Sequence, residues 1–188
     1  MLFKTVQKNV TILKTSNFYL KEIEPTDIVN IHKGLSNPEI TKYYDVHFST
    51  LEETKTQMDW YRKLKEDGTD IWWGIYGSGD HHFRGACGFN NLEEKHKKAE
   101  IGLWLLKEYW GNGILKEVMP ILFKQGFENL DLNRIEGYVS SENNKCKRAL
   151  EKINFEYEGT MRECEIKNGE LLSVDIYAIV KKDWKSIV

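Results

Sequence analysis

The sequence has no long hydrophobic run. No stretch of its 188 residues approaches the ~18 consecutive apolar positions that a membrane-spanning helix needs. The opening segment, MLFKTVQKNVTILK, also lacks the apolar run and small-residue cleavage site of a secretory signal. Charge of one sign is not in excess: 27 Lys and Arg against 29 Asp and Glu leave a net charge of -2. That balance provides no electrostatic footprint for nucleic acid. Cysteine is scarce, and Cys87, Cys146 and Cys164 are widely spaced with no CxxC. They make neither a disulfide framework nor a zinc site. His32, His47, His81, His82 and His96 show no ligand spacing, so no metal is expected. These absences fit a soluble chain in a reducing, cytoplasmic setting, with neither membrane nor nucleic acid as a partner. No internal repeat or Pro/Gly-rich linker divides the chain, so residues 1–188 read as a single domain. The apolar residues, 40% of the chain, suffice for a packed core.

What is present is a series of short strands and helices. Phe18 to Ile23 alternates as a strand. Glu24-Pro25-Thr26-Asp27 opens a helix that Asn37-Pro38 ends. A second helix runs from about Thr50 to Lys65, with Thr50 and Glu53 spaced as a capping box. Asp70 to Tyr76 and Phe83 to Asn90 read as strands joined by the Gly77–Asp80 turn. Alternation then sets Trp72 and Trp73 on opposite faces. Ala99 to Leu106 is a mostly apolar strand. Lys107 to Leu115 is a glycine-bearing turn, leading into a helix that ends near Asn129. Pro120 inside that helix predicts a kink or a rearranged first turn. Arg134 to Ser140 is a strand, Asn143 to Ile153 a short helix, Phe155 to Ile166 a strand. An Asn168-Gly169 turn and a last strand from Leu171 to Val180 follow. The order predicts a mixed α/β (α+β) fold with about four helices and a mostly antiparallel sheet. One helical crossover makes Ala99–Leu106 and Arg134–Ser140 a central parallel pair.

The strand, glycine turn and helix across residues 100–128 carry the most chemistry. Glycine tolerates positive φ and close approach of a ligand. The free N–H groups of a first helical turn attract anions. The amides of Gly111, Asn112, Gly113, Ile114, Leu115 and Lys116 could therefore cradle a pyrophosphate. The spacing is not that of a P-loop, since Ile114 and Leu115 follow Gly113. Nor is it a Rossmann fingerprint, which needs a third glycine and a parallel series.

The run AEIGLWLLKEYWGNGILKEV, followed by LNRIEGYVSSENNKCKRALEKINFEYEGTMRE, resembles the GNAT acetyltransferases. It is most similar to the branch of ribosomal-protein N-terminal acetyltransferases, the RimJ/RimL type. The stretch from Asn37 to Tyr43 and the late Asn168-Gly169 hairpin with Asp175 also resemble that branch. The resemblance implies acetyl-CoA as donor, an amine acceptor, and the acyl-CoA N-acyltransferase fold. In the family motif Q/R-x-x-G-x-G/A, Trp110 takes the first position, Gly113 the first glycine and Leu115 the small-residue position. Leu115 departs from the pattern. Leu103, Trp104 and Leu105 are then expected to offer backbone groups to the pantetheine arm and thioester. Asn143, in the branch's Glu-Asn-x-x-Ser motif, is expected near the pantetheine. Arg148 and Lys147 are expected near the phosphates.

Acyl transfer to an amine needs a polarised thioester carbonyl, a base and a proton for the leaving thiolate. A backbone N–H near Leu105 could serve the first need. Cys146 stands at the motif's serine and becomes the candidate acid, at a thiol reference pKa of about 8.5. Tyr138 and Tyr157 are rival donors. By its position in the branch that the chain resembles, Glu165 is the first candidate base, and Glu100, at the start of the strand expected to bind the thioester, is the second. Trp60, Tyr61, Trp72 and Trp73, with the Asp45–Phe48 loop, are expected around the acceptor. The resemblance to the branch implies first a protein N-terminal α-amine as acceptor. A small amine such as an aminoglycoside, polyamine or amino-sugar stays open, as does a non-catalytic acyl-CoA sensor. With one domain's length in hand, specificity is left to loops or to a partner copy in a homodimer.

Overall fold

The structure, a computed structural model, describes residues 12–67, 71–167 and 169–185. Asp70 and Asn168, and with Asn168 half of the expected hairpin turn, lie outside them. One sheet organises the chain. Its strands are β1 (Leu13–Lys14), β2 (Phe18–Glu22), β3 (Ile71–Gly77), β4 (Phe83–Glu93), β5 (Lys98–Leu105), β6 (Arg134–Ser140), β7 (Glu156–Lys167) and β8 (Glu170–Val180). They lie in the order β1-β2-β3-β4-β5-β6-β8-β7. Every neighbouring pair is antiparallel except β5 and β6. The expected central parallel pair is therefore present.

Helices cover both faces. On one face lie α1 (Ile28–Leu35), the short α2 (Pro38–Thr41) and α3 (Leu51–Asp67). They enclose a core of Ile31, Leu35, Ile40, Tyr61, Tyr76, Phe83, Ala86, Trp104 and Leu106. Thr50 and Glu53 cap α3 reciprocally: Glu53 N donates to Thr50 Oγ1 at 3.2 Å, and Thr50 N to Glu53 Oε2 at 3.3 Å. This is the reciprocal pairing that its sequence spacing predicts.

On the other face lie α4 (Ile114–Lys124), α5 (Asn144–Glu151) and α6 (Lys181–Lys185). In α4, Ile114, Val118, Met119, Leu122 and Phe123 recur at helical spacing and are all buried. They pack on Phe89, Ile135 and Ile179 of the sheet. Pro120 does not break α4. It stands on the exposed face, where the carbonyl that loses its donor is on the water side. The helix rearranges further on, as a π-turn over Gln125–Asn129.

The parallel pair is short. Its register covers Lys98↔Arg134, Ala99↔Ile135 and Glu100↔Glu136. Beyond Glu100, β5 continues to Leu105 without β6, while β6 continues to Ser140 paired only with β8. The two strands part, and the gap between them opens into the protein's main cavity.

Candidate active site

The cavity holds about 600 Å³. Its walls come from both sides of the parted strands. β5 contributes Glu100 to Trp104, and β6 contributes Gly137 to Ser140. The start of α5 adds Asn143 and Cys146, and β7 adds Glu165 and Lys167. The α2–α3 loop and α3 close the far side with Tyr43 to Val46, Phe48, Trp60 and Tyr61. Lys167 Nζ donates to the Tyr44 carbonyl at 2.6 Å, tying the tip of β7 to that loop.

Strand alternation decides which backbone groups face the gap. Leu106 N donates to Arg84 O of β4 at 2.8 Å, so Leu106 and Trp104 turn their polar groups toward β4. Leu103 and Leu105 turn theirs toward the gap. Their carbonyls are taken by side chains: Tyr44 Oη donates to Leu103 O, and Trp110 Nε1 donates to Leu105 O at 2.9 Å. Their N–H groups have no strand to pair with on that side. The expectation that Trp104 also offers its backbone is corrected. Its carbonyl abuts Gly85 of β4, and its indole is buried against Gly34 of α1.

The glycine turn lies outside the cavity wall, at the end of β5. Gly111 and Gly113 both have positive φ, at 78° and 75°. Gly113 is the N-cap of α4. The amides of Gly111, Asn112, Gly113, Ile114 and Leu115 donate to no group among the described residues. Lys116 is corrected, because its N–H donates to Gly113 O at 3.0 Å. Leu115 leaves the cradle open, since its side chain packs against the core. Trp110 joins turn to cavity through its bond to Leu105. Lys145 of α5 stands over the Trp110 ring at 5.4 Å, a cation beside the turn that sequence reasoning missed. Arg148 is on the exposed face of α5 and makes no ion pair among the described residues. Lys147 does not face the turn. Its Nζ binds Ser141 O at 2.7 Å and the buried Asp175 at 3.1 Å.

Two proton-bearing groups, Cys146 and Tyr44, line the cavity. Asn143 caps α5 by accepting from Cys146 N at 3.1 Å, which fixes the half-buried Cys146 in the wall. Burial pushes its thiol up to about 11. Nothing in the sequence pattern marks Tyr44, and burial raises its phenol too. The rival tyrosines have their hydroxyls engaged by other groups. Tyr157 is exposed, packs on Tyr177 and shares a 2.7 Å bond with Thr160. Tyr138 lines the cavity but donates to Glu136 at 3.2 Å. Glu165 and Glu100 line the cavity from β7 and β5, with Asn91 Nδ2 on Glu100 at 3.0 Å. Of the four aromatics expected around the acceptor, Trp60, Tyr61 and Trp72 line this cavity. Trp73 does not. It is buried on the other face of the sheet, edge-on to Phe89.

The arrangement can hold an anion at the turn and an extended amide-bearing arm along β5. It can also present carboxylates to an amine. Among the described residues, no group of three His, Cys, Asp or Glu could hold a metal ion. No helix there is long and apolar enough to cross a membrane.

Known proteins share this sequence and fold. A family model described as "Acetyltransferase (GNAT) domain" matches residues 17–156. "Uncharacterized N-acetyltransferase YoaA" of Bacillus subtilis (strain 168) is 33% identical over 171 residues, covering 90% of this chain and 97% of that protein. "Putative ribosomal N-acetyltransferase YdaF" of the same organism is 34% identical over 101 residues, 54% of this chain and 55% of that one. Among solved structures, that of RimL, a ribosomal L7/L12 alpha-N-protein acetyltransferase in complex with coenzyme A, superposes with a TM-score of 0.81. It is 21% identical and covers 90% of this chain and 98% of that one.

Proposed function

The chain belongs to the GNAT acetyltransferase family and is an N-acetyltransferase, and we propose that it moves acetyl from acetyl-CoA directly onto a primary amine, in the first instance a protein N-terminal α-amine. The observation that carries this reading is the unpaired edge of β5 at Leu103 and Leu105, ending at a glycine turn with free amides. An edge of this kind suits the amide-rich pantetheine arm, and the turn suits its pyrophosphate. Lys145 and Arg148 add positive charge on that side. The N-terminal acceptor is favoured by the similarity to YdaF, whose name describes a putative ribosomal N-acetyltransferase.

Acetyl-CoA would supply an activated acyl carbon. The Leu105 N–H, on the side of β5 that faces the gap, would polarise the carbonyl oxygen at that carbon. Glu165, or Glu100 across the cavity, accepts the proton that the amine sheds on forming its bond to carbon, directly or through water. Cys146 offers its S–H to the departing thiolate as the carbon–sulfur bond breaks. Holding both reactants in one cavity makes a covalent acyl-enzyme unnecessary.

The test follows CoA release with a thiol reagent, using N-terminal peptides and small amines as acceptors. Turnover with peptides supports the reading. Turnover confined to small amines moves the acceptor to the second class. Acetyl-CoA binding with no turnover on any amine rejects acetyl transfer.

A further inference from the structure

One corner of the cavity is a fixed aromatic wall. Trp72 lies across two glycines on neighbouring strands: a Cβ on Gly102 would come within 2.2 Å of its ring, and one on Gly88 within 2.6 Å. Trp72 Nε1 also donates to Asn90 at 2.7 Å. The glycine shelf and this bond hold the indole flat on the sheet. Trp60 and Tyr61 of α3 stand against it, with ring centroids 5.9 and 5.6 Å away. All three rings line the cavity, yet Trp60 keeps 37% of its surface exposed. The corner therefore offers unoccupied ring surface at little cost in rearrangement.

The charges nearby decide what it suits. α3 turns only neutral side chains to the cavity: Thr56, Gln57, Trp60 and Tyr61. Of its five acids, Asp67 stands exposed at the C-terminal end and the other four are engaged elsewhere. Glu52 pairs with Lys55 at 2.5 Å, Asp59 and Glu66 pair with Arg62 at 2.9 and 3.1 Å, and Glu53 receives Ser49 N at 2.7 Å. Lys167 adds a positive charge at the roof and Asp45 of the α2–α3 loop a negative one, so that side is neutral on balance. The carboxylates of β5 and β7 serve the reacting amine. A second cation in the corner would be desolvated among rings and amides, which ring faces offset only in part. An apolar group there would gain from burial.

We propose that this corner reads the group next to the reacting amine. The acceptor is a primary amine flanked by a bulky apolar or aromatic side chain, and not a polycation. The inference rests on the acetyl-transfer reading and narrows its acceptor. Trp60 is its specificity-determining residue.

The experiment compares peptides that differ only in their first residue (Phe, Leu, Ala or Lys), together with phenethylamine and spermidine, by kcat/KM for CoA release. Phe and Leu should exceed Ala by tenfold or more, and phenethylamine should exceed spermidine. Trp60→Ala should bring the Phe/Ala ratio close to one, while Trp60→Phe keeps it. A ratio near one in the unaltered protein, a preference for Lys or spermidine, or a ratio that Trp60→Ala leaves unchanged overturns the proposal. Should no amine release CoA, acetyl transfer itself fails and the corner is judged by binding. A saturable change in tryptophan fluorescence with phenethylamine, lost in Trp60→Ala, then supports it, and no change overturns it.

Discussion

Cys146 illustrates how burial alters a residue's chemistry. At its reference pKa a thiol would be a well-matched acid for another thiolate. Raised to about 11 by burial, it stays protonated throughout the neutral range but gives up its proton less willingly. Full transfer to a thiolate of ordinary basicity would then be uphill by about 3 kcal/mol. Cys146 therefore serves better as a hydrogen-bond donor than as a full acid. Cys146→Ser should keep most of the activity, while Cys146→Ala should lose about tenfold in kcat, less than the roughly hundredfold or more of a full general acid. Undiminished turnover in Cys146→Ala removes the role. Timed alkylation at pH 8 with mass spectrometry should label exposed Cys164 first, Cys146 far more slowly, and the fully buried Cys87 only on unfolding. For the base, Glu165→Gln should cut kcat/KM by about a hundredfold and change the acid side of the pH–rate profile. An unchanged profile transfers the role to Glu100.

At the scale of elements, the glycine turn makes a separable prediction. A Cβ at Gly113 would meet nothing within 4 Å, so only its φ of 75° opposes a side chain. Gly113→Ala should cost about 1–2 kcal/mol in a denaturant titration, and Gly113→Asn less, since Asn tolerates that region. On the proposed reading, in which the turn holds the donor away from the reacting atoms, both should raise KM for acetyl-CoA more than they lower kcat. This turn was legible from the chain: two glycines between an apolar strand and an amphipathic helix admit few other conformations. The Arg134–Ser140 strand was legible too. The parting of β5 from β6 was not. It depends on how far two distant strands stay in register, which no local pattern carries. Tyr44 was hidden for a similar reason, since a loop residue's place depends on what the loop packs against. Alternation separated Trp72 from Trp73, but only the cross-strand register puts Gly88 and Gly102 beneath Trp72.

Across the whole molecule, carboxylates tie segments that are far apart in sequence, and this sets the response to acid. Arg134 grips Glu158 with two bonds of 2.7 and 2.5 Å, linking β6 to β7. That contact holds Glu158 below the usual carboxylate range. Burial pushes Glu136 upward, yet Arg134 and Lys98 pull it lower on balance. Desolvation likewise opposes Glu117, whose bonds to Asn17 and Thr15 bring it down while fastening α4 to the β1–β2 hairpin. Each of these groups binds its proton more readily in the unfolded chain. Their stabilisation is thus present above the unfolded carboxylate range and is lost as pH falls through the lower folded values. Thermal melts should hold steady from pH 6 to 8 and drop below about pH 4. A melting temperature unchanged at pH 3.5 would show these contacts to be idle. The open side of β5 has a different consequence for the molecule in solution. An unmated strand in mid-sheet is an invitation to any passing chain with a strand to offer. Tyr44 and Trp110 occupy the Leu103 and Leu105 carbonyls, two of the acceptors that an incoming strand would use. Without both donors, the free enzyme should be prone to self-association at high concentration, and saturation with its own substrate should protect it.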